Sequence, residues 1–389
     1  MKKSERLGTY ITQKSIGKEY KAFIPPKLPP LPSLDLSSMY SMIDEAMTAI
    51  GKLNSVTKTI PNTALFIYMY VRKEALLSSQ IEGTQSSFSE LILFENKQKT
   101  NVSIEDVEEV SNYISAIQHG IKRLKEGFPL SLRLLREIHA ILLRGSRGSK
   151  KTPGQFRHSQ NWIGGTRPGN ALFVPPPPDH MLKCLSELES FLHDKKNKLP
   201  ILVKAALVHV QFETIHPFLD GNGRLGRLLI ILLLCEKSLL EEPTLYISLY
   251  LKKHRKNYYR LLQQVRENGD WEAWIEFFLE GIIQMAENAV VSVKKLNDLF
   301  VKDLKKIETL GRAQISCAAT FDCLKMIPQT TVQVLSKTLK VSEPTARNAL
   351  SNLLELNIVK EVSGQKKNKT YVYSEYLKIL AEGTEPLQS

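Results

Sequence analysis

A chain of 389 residues, 42% of them hydrophobic, is long enough for one large folded domain and one or two small ones. Its net charge of +13 and isoelectric point near 9.4 favour polyanionic partners, nucleotide or nucleic acid, although a solvated lysine-rich surface gives the same balance. The apolar runs are too short to span a bilayer, the N-terminus lacks the apolar segment of a secretion signal, and the four cysteines have no metal-ligand spacing, so a soluble cytoplasmic protein without a zinc cluster is predicted.

The N-terminal region is predicted to be an extended arm followed by helices. A proline cluster from Ile24 to Leu36 cannot be helical. Helical spacing of apolar residues then predicts a first helix from Met39 to Leu53 and a second from Asn62 to about Ser79. The second helix runs into Glu82-Gly83, which has the pattern of an ordinary helix end.

Between Arg147 and Pro178 the composition becomes rich in glycine and proline, with two short apolar pieces. This pattern predicts a small β-hairpin on a helical body. The two apolar pieces are NWIGG and ALFV, and the alternative role is a hairpin that only connects helices.

The most distinctive stretch, His216 to Arg227, has the sequence HPFLDGNGRLGR and lies between two apolar helices predicted at residues 200–214 and 225–240. Its three glycines permit positive φ and close backbone approach, so the N–H groups of residues 221–225 can converge on one anion at a helix N-terminus. Arg224 shares one helical face with Arg227, and together they add donors suited to phosphate oxygens.

Two further side chains of this loop fit phosphate transfer. Asp220 offers an oxygen ligand to Mg²⁺, which binds through one or two carboxylates together with substrate phosphates. His216 precedes the loop, and a histidine can take a proton from an attacking hydroxyl near neutral pH. The structural alternative is a helix N-terminus with two solvated arginines and a core-facing histidine.

At these residues the chain resembles the Fic family, whose motif is HPFx[DE]GNGRxxR. The fixed positions of the motif all match, at His216, Pro217, Phe218, Asp220, Gly221, Asn222, Gly223, Arg224 and Arg227. The usual Fic reaction transfers AMP from ATP to a protein hydroxyl and releases pyrophosphate. The resemblance implies that His216 is the general base and that Asp220 holds magnesium. It also implies an anion hole at residues 221–223, with Asn222, and phosphate binding by Arg224 and Arg227.

Two other segments resemble parts of Fic proteins. Ser78, Glu82 and Gly83 fit the inhibitory motif [ST]xxxE[GN], which implies that Glu82 pairs with Arg227 and occupies the place of the γ-phosphate. The glycine- and proline-rich segment resembles the Fic flap, which pairs with an extended piece of the target. This resemblance implies that Asn170 to Val174 is the exposed edge of the flap, with a docking role for Asn170, Ala171, Leu172, Phe173 and Val174.

A helix predicted from Lys252 to Arg266 carries Asn257, Tyr258 and Tyr259 where Fic proteins commonly place the wall of the adenine pocket. Aromatic core packing is the alternative for Tyr258 and Tyr259. Asp270 is predicted to cap a long amphipathic helix that leaves the domain. His209 has no metal-ligand spacing and is predicted to be a core residue.

After Arg312 the pattern of helix, turn, helix and two short strands predicts a winged helix. Arg347 lies at the start of the second helix, where a recognition helix would meet a major groove. Three lysines on the wing are suited to phosphate contacts: Lys366, Lys367 and Lys369. Many such modules instead bind proteins or a second copy of themselves.

The predicted fold class is mostly α, a Fic-type helical bundle with a small β-hairpin flap and a C-terminal winged helix-turn-helix domain. The proline-rich arm and first helix occupy residues 1–60, the inhibitory helix region 61–100, the catalytic domain with its connecting helix 101–300, and the winged helix 301–389. The relatives often pair through the helical domain, so a homodimer is also expected.

The favoured function is an autoinhibited protein adenylyltransferase that uses ATP and Mg²⁺. Its acceptor would be a Tyr, Ser or Thr hydroxyl of a target protein or of the chain itself. One alternative is a DNA-binding regulator whose Fic domain senses nucleotide, with DNA bound through the winged helix. Another is removal of AMP at the same site, and no membrane partner is expected.

Overall fold

The centre of the fold is the pair of apolar helices on either side of the loop, α7 (Ile201–Ile215) and α8 (Asn222–Glu236). Nearly every side chain of both helices is buried, because a helix that is apolar all round must be surrounded by other elements. The computed structural model describes residues 6–15, 18–59, 63–95, 103–145, 147–363 and 369–386.

Further helices surround this pair. Those before it are α1 (Tyr40–Thr59), α2 (Thr63–Ile81), α3 (Phe88–Glu95), α4 (Ile104–Lys125), α5 (Leu132–Leu142) and α6 (Pro178–His193). Those after it are α9 (Ser248–Lys253), α10 (Arg255–Asn268) and α11 (Trp271–Ile307). The long helix α11 is capped by Asp270, as predicted, and packs against α1 and α7. The single helix predicted at 252–266 is instead two, since His254 departs from helical geometry with φ −107° and ψ 31°.

An N-terminal hairpin, β1 (Thr9–Ser15) and β2 (Lys18–Ile24), precedes the proline-rich arm. The sequence does not predict this hairpin, because the alternation of apolar and polar residues in its strands is weak. Tertiary contacts hold it in place: the N–H of Phe23 donates to the carbonyl of Val174 at 2.9 Å, and the two phenylalanine rings Phe23 and Phe173 lie 5.9 Å apart.

The C-terminal region follows the predicted order of helix, turn, helix and strands. Its elements are α12 (Gln314–Met326), β3 (Gln329–Thr331), α13 (Val332–Leu339), α14 (Glu343–Glu355), β4 (Lys360–Glu361), β5 (Thr370–Val372) and α15 (Ser374–Ala381). The three strands form an antiparallel sheet in the order β3-β5-β4. Lys366 and Lys367 lie outside the described residues, and Lys369 is 3.7 Å from Glu361. Within the described ranges, every helix is too short or too polar to cross a membrane.

Candidate active site

The loop between α7 and α8 is a tight reversal fixed by two residues with positive φ. His216 follows α7 with φ 49°, and Gly221 precedes α8 with φ 77°. Glycine adopts this conformation freely, whereas a histidine does so at some cost and must be held there by its surroundings. The Asn222 side chain accepts from the N–H of Phe218 and donates to the carbonyl of Phe218, both at 2.9 Å. Its amide is therefore committed to shaping the loop, and what it can offer an anion is its main-chain N–H.

Side chains from the flap segment hold the histidine end of the loop from outside. Arg157 Nε donates to the carbonyl of His216 at 3.0 Å, and the main-chain N–H of Arg157 donates to the carbonyl of Pro217 at 3.0 Å. Asn161 Nδ2 donates to the carbonyls of His216 and Phe218 at 3.1 and 3.0 Å. These bonds satisfy the buried carbonyls of the loop and fix the main chain on which His216 stands.

A second buried histidine supports the other half of the loop. The N–H of Gly154 donates to Nδ1 of His139 at 2.8 Å, so Nε2 carries the proton and donates to the carbonyl of Asp220 at 3.0 Å. The ring also stacks on Phe218 with centroids 3.7 Å apart. Burial lowers the pKa of His139 to about 4, so this residue is a neutral structural support.

The His216 side chain is arranged to act as a base. Its Nδ1 donates to the carbonyl of Glu213 at 3.3 Å, which leaves Nε2 as the unprotonated nitrogen of the neutral ring. The side chain is 20% exposed and lines a cavity. Burial, together with the charge of Arg266, lowers the pKa of His216 to about 4. The imidazole is therefore neutral near pH 7 and able to accept a proton.

Arg227 is fully buried and joins the loop to the end of α2. Its Nε donates to the hydroxyl of Ser78 at 2.9 Å, and its Nη2 donates to the carbonyl of Ser78 at 2.9 Å and to Oε1 of Glu82 at 2.7 Å. Gly83, with φ 104°, ends the helix just beyond. A Cβ atom at Gly223 would lie 2.2 Å from Glu82 Oε1, so the carboxylate sits directly over the N-terminus of α8.

The pKa values of this pair are consistent with an ion pair between a buried guanidinium and a carboxylate that is 36% exposed. Burial raises the pKa of Glu82, but the charge and hydrogen bond of Arg227, with the charge of Arg224, outweigh it and hold the pKa of Glu82 below its usual value. The attraction to Glu82 likewise raises the pKa of Arg227 despite its burial. A carboxylate at a helix N-terminus beside a guanidinium takes the place that an anionic ligand would otherwise fill.

A cavity of about 740 Å³ opens in front of these groups, a volume in the range of ~300–1,000 Å³ typical of small-molecule sites. Its lining includes Glu82, Trp162, Ile163, Gly164, Leu172, Phe173, Glu213, His216, Gly223, Arg227, Tyr258, Tyr259, Leu262, Gln263, Arg266 and Glu267. His216, Arg227 and Glu82 thus share one pocket. Its apolar and aromatic walls come from the flap segment and from α10.

Arg224 lies on another side of the loop, outside the lining of the cavity. Its Nη1 is 3.3 Å from Oε2 of Glu109, and its Nη2 is 3.8 Å from Oδ1 of Asp220. Its Nε and Nη1 have no hydrogen-bond partner among the described residues. Asp220 is 41% exposed and accepts a hydrogen bond from the N–H of Gly221 at 2.6 Å.

Of the residues predicted to form an adenine wall, the two tyrosines line the cavity and the asparagine does not. Tyr258 is buried and its hydroxyl donates to Nε2 of His209 at 2.9 Å, while Nδ1 of His209 donates to the carbonyl of Gly226 at 3.0 Å. His209 is thus the core residue expected from the sequence. Tyr258 and the half-exposed Tyr259 both line the cavity. Asn257 lies outside that lining and accepts hydrogen bonds from a neighbouring arginine.

The flap carries one isolated bridge, Ile163 to Phe173, in place of the predicted hairpin strands. The expectation of an exposed edge along Asn170–Val174 is wrong for its last two residues, since Phe173 and Val174 are 4% and 6% exposed. Their burial has a clear cause, because Phe173 packs under the guanidinium of Arg266 at 3.9 Å and the carbonyl of Val174 is bonded to β2. Leu172 is 80% exposed at the rim of the cavity.

Several residues of the site were not singled out from the sequence. Glu213 has a visible signal, the single carboxylate in a mostly apolar helix, and it lines the cavity. Arg266 closes one wall and donates to the carbonyl of Glu213 at 3.2 Å and to the hydroxyl of Thr214 at 3.1 Å. Arg157 gives no local signal, because its role depends on carbonyls about sixty residues further along the chain.

Comparison with known proteins identifies two family regions. The family described as Fic/DOC family N-terminal matches residues 40–122, and the Fic/DOC family matches residues 129–234. Two curated relatives are named protein adenylyltransferase Fic. The one from Aedes aegypti is 30% identical over 241 residues, which cover 61% of this chain and 44% of the relative, and the one from Drosophila grimshawi is 27% identical over 239 residues, covering 61% and 45%. The chain therefore spans less than half the length of these relatives.

Solved structures share the fold. A Fic family protein from Desulfovibrio desulfuricans superposes with a TM-score of 0.58 at 21% identity, covering 88% of this chain and 97% of that one. A Fic domain containing signaling protein from Bacteroides thetaiotaomicron has a TM-score of 0.54 at 20% identity, covering 64% and 97%. The mostly helical architecture is thus the one found in Fic proteins.

Proposed function

We propose that this chain, which models of the Fic/DOC family match over residues 40–122 and 129–234, is a protein adenylyltransferase that moves AMP from ATP to a side-chain hydroxyl of a protein. The observation that carries this proposal is His216, a neutral imidazole with a free Nε2 that faces the same cavity as Arg227 and the N-terminus of α8. A base, an anion site and a pocket of nucleotide size are what adenylyl transfer requires. The naming of the curated relatives supports the same reaction class.

In the proposed reaction the acceptor oxygen attacks the α-phosphorus of ATP. Its proton passes to Nε2 of His216, a new P–O bond forms, and the bond between the α-phosphorus and the bridging oxygen to the β-phosphate breaks, so pyrophosphate leaves. The main-chain N–H groups at the start of α8, around Gly221 to Gly223, neutralise charge on the phosphates. Arg227 binds the terminal phosphates once Glu82 has released it, and the buried donors of Arg224 are suited to the same task.

Magnesium is the metal that this reaction implies. No group of three or more His, Cys, Asp or Glu side chains is placed to hold a metal ion in the part of the chain that the structure describes, but Mg²⁺ is bound through one or two carboxylates plus substrate phosphates. Asp220 lies half-exposed just before the N-terminus of α8, and its carboxylate fits that donor set. When bound, the ion would neutralise charge on the phosphates. Asp220 would hold it, positioned by the bond from His139 to the Asp220 carbonyl.

Autoinhibition forms part of the proposal. Glu82 takes the hydrogen bond from Arg227 and stands over Gly223, where a terminal phosphate would have to lie. ATP must therefore displace a carboxylate before its α-phosphate can align with His216, and a displacement of that kind lowers the competent population without removing the site. The exposed part of the flap, around Leu172, is where we place acceptor docking, for a target or for the chain itself.

Incubation with ATP labelled at the α-phosphate and Mg²⁺ tests the proposal. We expect weak labelling of wild-type protein and stronger labelling of Glu82→Gly, because the freed Arg227 can then bind the terminal phosphates. Adding His216→Ala to Glu82→Gly should reduce the rate by ~10²–10⁴-fold, the usual contribution of a general base.

Intact-mass analysis of the same samples should show an AMP adduct and its acceptor residue. Absence of any label from Glu82→Gly, with ATP binding retained, would contradict transfer and favour nucleotide sensing. Full activity in the double variant would mean that His216 has another role.

A further inference from the structure

Glu213 is a buried carboxylate that the proposed chemistry leaves without a task. It lies on α7, is 6% exposed, and has an Oε1 atom without a hydrogen-bond partner among the described residues. Space for it depends on Gly226 of α8, where an added Cβ would lie 2.6 Å from Oε1. Burial of a carboxylate with an unfilled acceptor is costly, so this arrangement points to a functional reason.

The nearest functional group is the base. Oε2 of Glu213 is 3.9 Å from Nδ1 of His216, and the main-chain carbonyl of Glu213 accepts the Nδ1 proton at 3.3 Å. The same residue thus fixes the tautomer through its main chain and places a carboxylate beside the nitrogen that stays protonated. A nearby negative charge favours an imidazolium over a neutral ring.

We propose that Glu213 is a positioning residue for His216, whose carboxylate stabilises the imidazolium formed when His216 takes the acceptor proton. This inference rests on the proposed adenylyl transfer. It does not require Glu213 to touch ATP or the acceptor, and it assigns the residue an effect on the rate of transfer and not on nucleotide affinity.

The groups around Glu213 determine the pH range of this effect. They are His216 just after its own helix, Arg227 on α8, Glu82 just after α2, and Tyr258, Tyr259 and Arg266 on α10. Burial raises the pKa of Glu213 to about 7, with the two arginines opposing and Glu82 adding to the rise. The carboxylate of Glu213 therefore ionises as the pH rises through the neutral range. Once Glu82 is removed, it ionises at a somewhat lower pH.

The test compares Glu82→Gly with Glu82→Gly plus Glu213→Gln, which keeps the shape and removes the charge. We expect kcat for transfer to fall roughly 10- to 100-fold, as for other partners that orient a functional histidine, with the KM for ATP unchanged. In the Glu82→Gly protein kcat should rise with pH between 5.5 and about 7.5, in step with ionisation of a carboxyl of raised pKa. In the double variant this rise should vanish, because the pKa of His216 of about 4 lies below the range.

A matched control is Glu276→Gln, an exposed carboxylate on α11, which should leave rate and pH profile unchanged. A lower rate with an unaltered pH profile would mean that Glu213 is only structural, and an unchanged rate would also overturn the proposal. Loss of all labelling already in Glu82→Gly would instead contradict adenylyl transfer itself.

A second inference comes from the opposite side of α2. The segment after α15, residues 382–386, lies against the end of the inhibitory helix. Gln80 Nε2 donates to the carbonyl of Thr384 at 2.8 Å and to the carbonyl of Ser86 at 2.9 Å. Lys252 Nζ donates to Gln80 Oε1 at 2.7 Å and to the carbonyl of Glu385. Gln80 and Thr384 are 0% and 3% exposed.

Gln80 stands between the two residues that bind Arg227. Ser78 precedes it and Glu82 follows it, and the N–H of Gly83 donates to the carbonyl of Gln80 at 3.1 Å. The turn that carries Glu82 is therefore joined to a residue whose own side chain is bonded to the C-terminal segment. Loss of that segment would leave the Gln80 amide without one of its acceptors.

We infer that residues 382–386 clamp the inhibitory end of α2, so that displacing them releases Glu82 from Arg227 and raises transfer. The segment is bonded to the C-terminal region by the N–H of Thr384, which donates to the carbonyl of Ala381 at 2.9 Å. A movement of α15 would thus shift Thr384, and through the bond between Thr384 and Gln80 it would shift the turn that carries Glu82. This inference rests on the proposed autoinhibition by Glu82.

Two variants test the clamp, deletion of the chain from Glu382 onward and the milder Lys252→Met, which removes both donated bonds. Each should raise self-labelling roughly 5- to 150-fold, the usual span of coupling between two sites. In a Glu82→Gly background neither should raise it further, because the inhibitory group is already gone. Lys378→Met, which breaks an exposed pair with Glu375 on α15, is the control and should have no effect.

Wild-type rates in both variants, beside a raised rate in Glu82→Gly, would overturn the clamp and leave autoinhibition intact. An additional increase in the Glu82→Gly background would also overturn it, since the segment would then act elsewhere. No label in Glu82→Gly would contradict the proposed function instead.

Discussion

The loop from His216 to Arg227 and the end of α2 from Ser78 to Gly83 meet at one guanidinium but are held by different kinds of contact. The loop is braced from within by Asn222 and from outside by Arg157, and its carbonyls are satisfied by neighbouring side chains. The end of α2 depends on Arg227 and on groups far away in the chain.

Under the proposed function, this difference separates the chemistry from its control. Catalysis gains from groups fixed in advance at the reacting atoms, and the loop provides such a frame. A control element has to leave, so its contacts must be replaceable by a ligand or partner at modest cost. The ion pair between Glu82 and Arg227 meets that requirement, because a phosphate can take over the guanidinium.

The largest effect is expected from breaking the brace inside the loop. Asn222→Ala in the Glu82→Gly background removes both bonds to Phe218. A displacement of about 1 Å at the reacting groups can cost ~10²-fold in rate, so labelling should fall by about that factor. Kinetics with α-labelled ATP measure it, and circular dichroism confirms the fold. A rate within twofold of the parent would show that the loop does not need its brace.

The next largest effect is expected from overpacking the contact between α8 and α7 beside the loop. Gly226→Ala places a Cβ 2.6 Å from Glu213 and 3.3 Å from Phe212, and overpacking of this kind costs about 1–3 kcal/mol. Urea unfolding should show that loss. Gly51→Ala, on an exposed face of α1 with open space around its Cβ, is the matched control and should gain about 0.5–1 kcal/mol. Equal shifts in both variants would contradict a closely packed loop.

The smallest effect is expected at the control element when only its charge is removed. Glu82→Gln keeps an acceptor for Arg227 but turns a charge-assisted bond into a neutral one, which is about half as strong. Labelling should rise roughly 5- to 10-fold over wild type, from a loss of about 1 kcal/mol, and less than in Glu82→Gly. Glu45→Gln, an exposed position on α1, is the control. A rate equal to wild type would mean that shape and not charge blocks the site.

The sequence predicted the loop and its position between two apolar helices because both depend on local spacing. Glycines, arginines and a histidine within twelve residues carry their own backbone geometry, and the helical pattern on both sides fixes where the loop lies. The motif at Ser78 to Gly83 was also visible, and the structure brings Glu82 to Arg227 at 2.7 Å.

Long-range contacts decided the rest. The N-terminal hairpin, the burial of Phe173 and Val174, the support from Arg157 and His139, and the contact of Gln80 with residue 384 each join segments whose separation in sequence leaves no local pattern. Side-chain direction has the same limit: Asn222 fits an anion hole by motif, but only the packed loop shows its amide bonded to Phe218. Periodicity determines which face of a helix is buried, whereas the groups that meet it are set by how the whole chain packs.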